Sequence, residues 1–199
     1  MAKKLLIIFT KNPELGKGKS RLAATIGKEK ALIIFKELIK HTVSITKGLD
    51  CDKLVMFSDY LGDNTYFDDT IYKKGLQEGN DLGDRMRNAF NQAFDVGYEQ
   101  VMMIGSDCYQ LTQNELEKGF KILDSNDFVF GPAEDGGYYL IGTRTSFTKV
   151  FDNKTWSTAT VLYEAIRDVE GADLTFDTLT TLSDVDYEED LGELRKFID

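Results

Sequence analysis

Histidine and cysteine are nearly missing from this chain, and that narrows its chemistry at once. His41 is the lone histidine among 199 residues, and Cys51 and Cys108 are the two cysteines. A zinc site built on several imidazoles is excluded, and two widely spaced thiols make neither a disulfide framework nor a CxxC metal knuckle. A Ser-His-Asp triad would rest wholly on His41, which lies in a helical pattern at an expected half-exposed position. There are two prolines and one tryptophan, and no linker, internal repeat or low-complexity tract divides the chain. No apolar run approaches the roughly 20 residues a helix needs to cross a bilayer. Positive charge is scarce, with 24 Lys and Arg against 34 Asp and Glu, for a formal net charge of −10. That excludes the basic footprint of a general nucleic-acid binder and attraction to an anionic membrane surface. The first residues run directly into a strand pattern too short for a signal-peptide core, so a reducing cytoplasm is the expected setting. Carboxylates, lysines, arginines and backbone amides are left to carry any chemistry.

What the chain does have is alternation. With 42% hydrophobic residues, a chain of this length can bury one good core, and a single domain over residues 1–199 is expected. Residues 3–9 read as a buried strand. Ala31, Ile34, Phe35, Leu38, Ile39, Thr42 and Ile45 fall at helical spacing and mark a helix over 28–48. Further strands are expected at 53–58, 70–74, 99–104, 128–130, 136–142 and 173–177, with a helical turn leading to Phe67. Helices are expected at 81–96 (Asp81 as N-cap), 112–123 (a Thr112/Glu115 capping box), 157–169 (Ser157 as cap) and 187–197. Strands alternating with helices predict a three-layer α/β sandwich on a mainly parallel, Rossmann-like sheet. Ligands of such sheets bind outside the carboxyl ends of the strands, and three unusual stretches fall there.

The first is KNPELGKGKSRL, residues 11–22. In an acidic protein, a glycine-bearing loop with this many cations, set between a strand and a helix, reads as an anion site. A solvated basic loop is the plainer alternative. Gly18-Lys19-Ser20 invites a Walker A reading, but that motif needs glycine where Pro13 stands, so a P-loop is rejected. The second stretch is GSDCYQL, 105–111, where Asp107 at a strand end offers a hard oxygen ligand or merely tips a turn. The third is GPAEDGGYYLIG, 131–142. Asp135-Gly136 is a turn signal, yet Gly137 and Tyr138 beyond it exceed what a tight turn needs.

Together these stretches resemble the nucleotide-diphospho-sugar transferase superfamily, the GT-A fold. More narrowly, they are similar to a bacterial branch labelled glycosyltransferase and related to molybdopterin cofactor and phospholactate guanylyltransferases. Residues 77–86 (QEGNDLGDRM), Trp156-Ser157-Thr158 and residues 184–191 (DVDYEEDL) extend the resemblance over nearly the whole chain. It implies that Lys11, Pro13, Gly16, Lys19 and Arg21 hold the nucleotide and its phosphates. Gln77 and Gly79 would meet the base or ribose, and Arg85 a phosphate. Asp107 would be the principal ligand of Mg²⁺ or Mn²⁺ and Asp186 the second. Asp135, Gly136, Gly137 and Tyr138 would line the pocket, with Asp135 as general base and Trp156 and Ser157 on the acceptor side. Tyr109 stands where the family has proline, and either lines the site or loosens the turn that holds Asp107. Plainer readings compete: Arg85 paired with Asp81 or Asp84, Trp156 in the core, and Asp186 with Glu189 as a capping box.

The resemblance implies a metal-dependent transferase with a nucleotide-activated donor. Its branch points to glycosyl transfer from a nucleotide sugar to a small acceptor. The cationic loop points to nucleotidyl transfer from an NTP with release of pyrophosphate. A nucleotide-binding protein without catalysis is the third reading, raised by Tyr109. Glycosyl transfer is preferred.

Overall fold

In the computed structural model, which describes residues 2–61 and 66–199, the first half runs β1 (Lys4–Thr10), α1 (Ser20–Ile26), α2 (Lys28–Thr46), β2 (Asp52–Phe57), β3 (Lys73–Leu76) and α3 (Leu82–Asp95). The second half runs β4 (Gln100–Ile104), α4 (Gln113–Ile122), β5 (Phe128–Pro132), β6 (Tyr138–Thr143), α5 (Val161–Glu170) and β7 (Phe176–Thr178), then a 3₁₀ stretch over Glu188–Phe197. The strands form one sheet in the order β3-β2-β1-β4-β6-β5-β7. Pairing is parallel except around β6, which runs antiparallel to both β4 and β5. The mainly parallel α/β architecture expected from the sequence is the one found.

Strand β1 shows why the sheet sits where it does. Leu5, Leu6, Ile7 and Ile8 are all buried, the apolar run of a strand covered on both faces. Successive side chains alternate between faces. Leu6 and Ile8 join Phe35 and Ile39 of α2 and Leu116 and Phe120 of α4. Leu5 and Ile7 join Met86 and Phe90 of α3 and Ala165 and Val169 of α5. A third cluster packs Leu22 of α1 with Ile34 and Leu38 of α2 and with Val185, Leu191 and Leu194 near the C-terminus. That cluster brings the last acidic segment back to the loop after β1. Strand order reverses at β1 and β4, whose carboxyl ends lie side by side at the centre of the sheet. Open α/β sheets bind ligands at such a switch point.

Several local expectations are corrected. The strand expected at 70–74 starts later, at Lys73, because Asp68 folds the chain into a turn: Oδ1 accepts from Thr70 N at 2.8 Å and from Thr70 Oγ1 at 2.7 Å. Thr112 caps α4 through Glu115 N at 3.2 Å, but the capping box is only half made. Glu115 instead accepts from Thr180 N and Lys118. The helix expected from Ser157 begins at Val161, since Ser157 has a left-handed φ of 64°. The closing segment is a 3₁₀ helix kinked at Gly192, not an α-helix. The last strand is short and late, Phe176–Thr178, after a turn at Asp173. The helical turn expected before Phe67 falls largely on residues 62–65, outside the described residues.

Gly142 of β6 lies where a Cβ would come 2.6 Å from Met102 Cγ and 2.8 Å from Val129 Cγ1. Overpacking of this kind costs about 1–3 kcal/mol. Gly142→Ala is therefore expected to lower the unfolding free energy in urea by that amount, with the slope against denaturant unchanged.

Candidate active site

The loop between β1 and α1 passes through left-handed backbone at Gly16 (φ 77°), Gly18 (φ 73°) and Lys19 (φ 45°). Glycine tolerates that region, whereas a residue with a Cβ is held there only by its surroundings. For Lys19 those surroundings are two carboxylates. Its Nζ donates to Asp107 Oδ2 at 3.0 Å and to Asp186 Oδ1 at 3.2 Å, and its side chain is 4% exposed. Burial works against the ammonium, but Asp107 and Asp186 outweigh it and hold Lys19 above its ordinary pKa. Arg21 Nη1 donates to Asp186 Oδ2 at 2.9 Å. Lys19 precedes the helix and Arg21 lies in its first turn, so cations two apart reach one carboxylate.

Each residue of the Gly105-Ser106-Asp107 turn has a physical reason. A Cβ on Gly105 would lie 2.6 Å from Asp107 Oδ1, so only glycine leaves Asp107 its present orientation. The buried Ser106 Oγ is 2.8 Å from Thr10 Oγ1, which ties the end of β4 to the end of β1. Val185 N donates to Asp107 O at 3.0 Å, and Val185 itself is buried. Asp184 and Asp186, on either side of it, both line the cavity. Burial first, then the neighbouring Asp107, Asp135 and Asp186 carboxylates, push Asp184 up to about 7 against the pull of Lys19.

The Asp135 turn forms the facing wall. Asp135 Oδ1 accepts from Gly137 N at 2.9 Å, which leaves Oδ2 without a donor among the described residues. Burial raises the Tyr138 hydroxyl above its ordinary range, and among the described residues it reaches only Met86 Sδ, at 4.0 Å. Trp156 is half-buried against the first turn of α3, where a Cβ on Gly83 would come 3.0 Å from its ring. At the other end, Gln77 Nε2 donates to Met56 O at 2.9 Å and to Thr10 O at 3.3 Å, clamping the ends of β1 and β2. Arg85 donates to Gly79 O and Gln77 Oε1. Asp84, its expected partner, pairs with Arg87 instead, and Asp81 caps α3.

A cavity of about 630 Å³ joins these groups, a size that suits a small-molecule ligand. Its walls include Lys11, Lys19, Arg21, Gln77, Arg85, Asp107, Asp135, Gly137, Tyr138, Trp156, Ser157 and Asp186. Five residues named from the sequence lie outside those walls. Pro13 and Gly16 are absent from the lining, and at Gly16 a Cβ would meet the Lys28 side chain at 3.5 Å. Gly79 packs on α3, where a Cβ would meet Asp84 Cβ at 2.6 Å. Gly136 (φ 86°) exists for the chain's own close approach, because a Cβ would lie 2.2 Å from Ala159 O. Tyr109 turns away from the cavity onto His41, with ring centroids 4.6 Å apart, and joins the α2 cluster. His41 Nε2 is in turn fixed 2.8 Å from Leu111 O. The proposed Asp186–Glu189 capping box is also absent: Asp190 receives the Asp186 and Tyr187 amides at 2.9 and 2.7 Å, which frees the Asp186 side chain for the site.

Sequence reasoning passed over Asp184 and the apolar wall of Leu82, Met86, Met103 and Ile141. The signal for Asp184 was the spacing Asp184-Val185-Asp186, two acids flanking a buried valine. The buried Cys108 also lines the cavity. Burial first, then Asp184, push its thiol up to about 12, which keeps it a neutral wall and not a nucleophile.

Among the described residues, no three His, Cys, Asp or Glu side chains form a ready cage for a metal ion. Magnesium does not need one, since it is commonly held by one or two carboxylates with water and substrate phosphates. Asp107 and Asp186 already converge on a cation, the Lys19 ammonium. Their chemistry and placement fit Mg²⁺ or Mn²⁺.

A family model described as an uncharacterized protein conserved in bacteria, DUF2064, matches residues 42–158. The chain belongs to the DUF2064 family. A protein from Desulfovibrio desulfuricans G20, provisionally named a nucleotide-diphospho-sugar transferase, is 32% identical with a TM-score of 0.89, covering 98% of this chain and 87% of that one. The superfamily read from the motifs is thereby borne out for this DUF2064 member. Two more distant structures share the fold. The inositol-1-phosphate CTP transferase of T. maritima has a TM-score of 0.66 at 13% identity, covering 99% of this chain and 95% of its own. A CMP:2-keto-3-deoxy-manno-octonic acid synthetase complexed with CTP has a TM-score of 0.58 at 11% identity, covering 99% and 98%. A search of curated proteins gives no match. No helix among the described residues is long and apolar enough to cross a membrane.

The raised Asp184 gives a pH prediction. Between the ordinary carboxylate range and about 7, the native state keeps a proton that the unfolded chain releases. Stability from this group is full below that window and lost as pH rises through it. Asp184→Asn should therefore be more stable than the wild type in urea at about pH 8, with the difference fading toward about pH 4. An equal difference at both values would contradict the assignment.

Proposed function

We propose that this protein transfers a glycosyl group from a nucleotide sugar to a small hydroxyl-bearing acceptor. Its membership of the superfamily supports a transferase with a nucleotide donor. The observation that favours glycosyl over nucleotidyl transfer is the pairing of the loop's cations. Lys19 and Arg21 are engaged by Asp107 and Asp186, and Lys17 by Glu14. Lys11 and Arg85 are the cavity cations without a carboxylate partner among the described residues. In the free protein the surplus of positive charge that favoured a triphosphate in the sequence is largely neutralised by carboxylates, and the unpaired cations match a diphosphate.

On this reading, Lys11 and Arg85 bind the donor's phosphates and set their direction, with Gln77 orienting Arg85. Asp107 and Asp186 would hold the divalent ion, which when bound offsets charge on the departing nucleoside diphosphate. Trp156 and Tyr138 present aromatic surface to a sugar at the opposite end, and Leu82, Met86 and Ile141 exclude water there. Asp135, through Oδ2, takes the proton of the acceptor hydroxyl as it attacks the sugar. An intact acidic wall, with Tyr109 turned away from it, argues against the reading without catalysis.

Calorimetric titration with UDP-glucose, GDP-mannose, GTP and CTP, with and without Mn²⁺, tests the proposal. Metal-dependent binding of a nucleotide sugar is expected. Tight NTP binding that competes with pyrophosphate, with no nucleotide-sugar binding, would establish nucleotidyl transfer instead. Asp107→Asn should weaken the metal-dependent binding by a factor of about ten or more, roughly 1.4 kcal/mol, while the far-ultraviolet dichroism is unchanged.

A further inference from the structure

The carboxylates that fit a divalent ion are already occupied by a cation of the protein's own. Lys19 Nζ lies 3.0 Å from Asp107 Oδ2 and 3.2 Å from Asp186 Oδ1, and its side chain is 4% exposed. A divalent ion coordinated by those two carboxylates would stand within contact distance of a buried ammonium. Such like charges repel one another, although the Asp107 and Asp186 side chains are themselves 43% and 38% exposed. An ion held by both carboxylates therefore competes with Lys19 for them.

Two features make departure feasible. Lys19 is in left-handed backbone, φ 45° and ψ 42°, at the residue before α1. A lysine in that region is held by its contacts and relaxes when they are lost. Gly18 before it, at φ 73°, gives the loop a residue that absorbs a backbone change at little cost. A third feature supplies the trigger: the same cavity carries Lys11, Arg21 and Arg85, so an anionic group drawn to these cations arrives beside Lys19.

We infer that Lys19 is a tethered cation that keeps the divalent ion out of the Asp107–Asp186 pair until the donor's diphosphate takes the ammonium over. The phosphate replaces the carboxylates as partner of Lys19, and the vacated carboxylates replace water around the ion. Metal and nucleotide then load together, each tightening the other by the same factor, because coupling between two binding equilibria is reciprocal. This rests on the donor reading above for the identity of the anion; the position of Lys19 between the carboxylates does not. Lys19 is thus a positioning residue for the metal as well as a phosphate contact.

The test is direct binding of Mn²⁺ to the full chain, followed by electron paramagnetic resonance, with UDP, GDP and CDP as nucleotide probes. Wild type should bind Mn²⁺ weakly alone and about tenfold more tightly with the nucleotide it accepts. Lys19→Met should bind Mn²⁺ alone about tenfold more tightly than wild type, with nucleotide adding little. Arg21→Met removes the same charge from an exposed partner of Asp186 and should change Mn²⁺ affinity far less. Equal gains in both variants would reduce the effect to net charge and overturn the inference, as would unchanged affinity in Lys19→Met. If none of the three nucleotides alters Mn²⁺ binding to wild type, the donor reading fails, a result independent of the variant comparison. Wild type alone gives a second check that needs no folded variant. Acylation mapped by mass spectrometry should leave Lys19 unmodified in the free protein and modify it at saturating Mn²⁺ without nucleotide. Continued protection there would overturn the inference.

Discussion

A buried ammonium held between two carboxylates is the constraint on which this structure turns. Lys19 comes from the loop after β1, Asp107 from the end of β4 and Asp186 from the segment before the C-terminal 3₁₀ helix. A charge this far from water is tolerable only when it is paired. Lys19 therefore fixes the loop, the acidic wall and the C-terminal segment to one another. The third carboxylate, Asp184, has no comparable partner among the described residues; burial first, then the neighbouring Asp107, Asp135 and Asp186, raise its pKa. Asp107, Asp135, Asp184 and Asp186 share the cavity with Lys11, Lys19, Arg21 and Arg85, so its acids and cations are equal in number.

The fold delivers these groups to one point without special provision. In a mainly parallel sheet with helices on both faces, strand order reverses where β1 and β4 are neighbours, and the loops leaving them diverge to open a crevice. The Thr10–Ser106 hydroxyl contact pins the two strand ends together inside that crevice. The third apolar cluster, through Leu22, Val185 and Leu191, then folds the acidic C-terminal segment back against α1 and α2. Ordinary apolar packing thus sets the positions from which the charged side chains act.

Much of this was legible in the sequence, and what was missed has physical causes. The apolar run of β1 and the 3.6-residue periodicity of α2 and α3 report directly on burial, so the layers could be read. Asp107 could be read because it stands where a strand ends in a short polar turn, and Lys19 because it stands in a glycine-bearing cationic loop just before a helix. The role of Gly136 could not: its close approach is to Ala159, a contact between segments that no local pattern records. Tyr109 in place of proline looked like damage to the site, yet the ring finds His41, another long-range partner. Ser157 and Asp186 were both credible helix caps by local rules. The first instead lies in left-handed backbone, and the cap of the closing segment falls one residue later, at Tyr187 with Asp190. Local chemistry names candidates, and packing decides which face the cavity.

The central claim is that the loop after β1, the Asp107–Asp186 pair and the Asp135–Trp156 wall are parts of one site for a nucleotide-activated donor. A crystal structure grown with Mn²⁺ and a nucleoside diphosphate, read by anomalous scattering at the manganese edge, tests it most directly. The account requires a single manganese peak coordinated by Asp107 and Asp186 and by a phosphate oxygen, with Lys19 turned onto the diphosphate. Manganese bound elsewhere, or a nucleotide seated outside the cavity while Lys19 stays between the carboxylates, would contradict it.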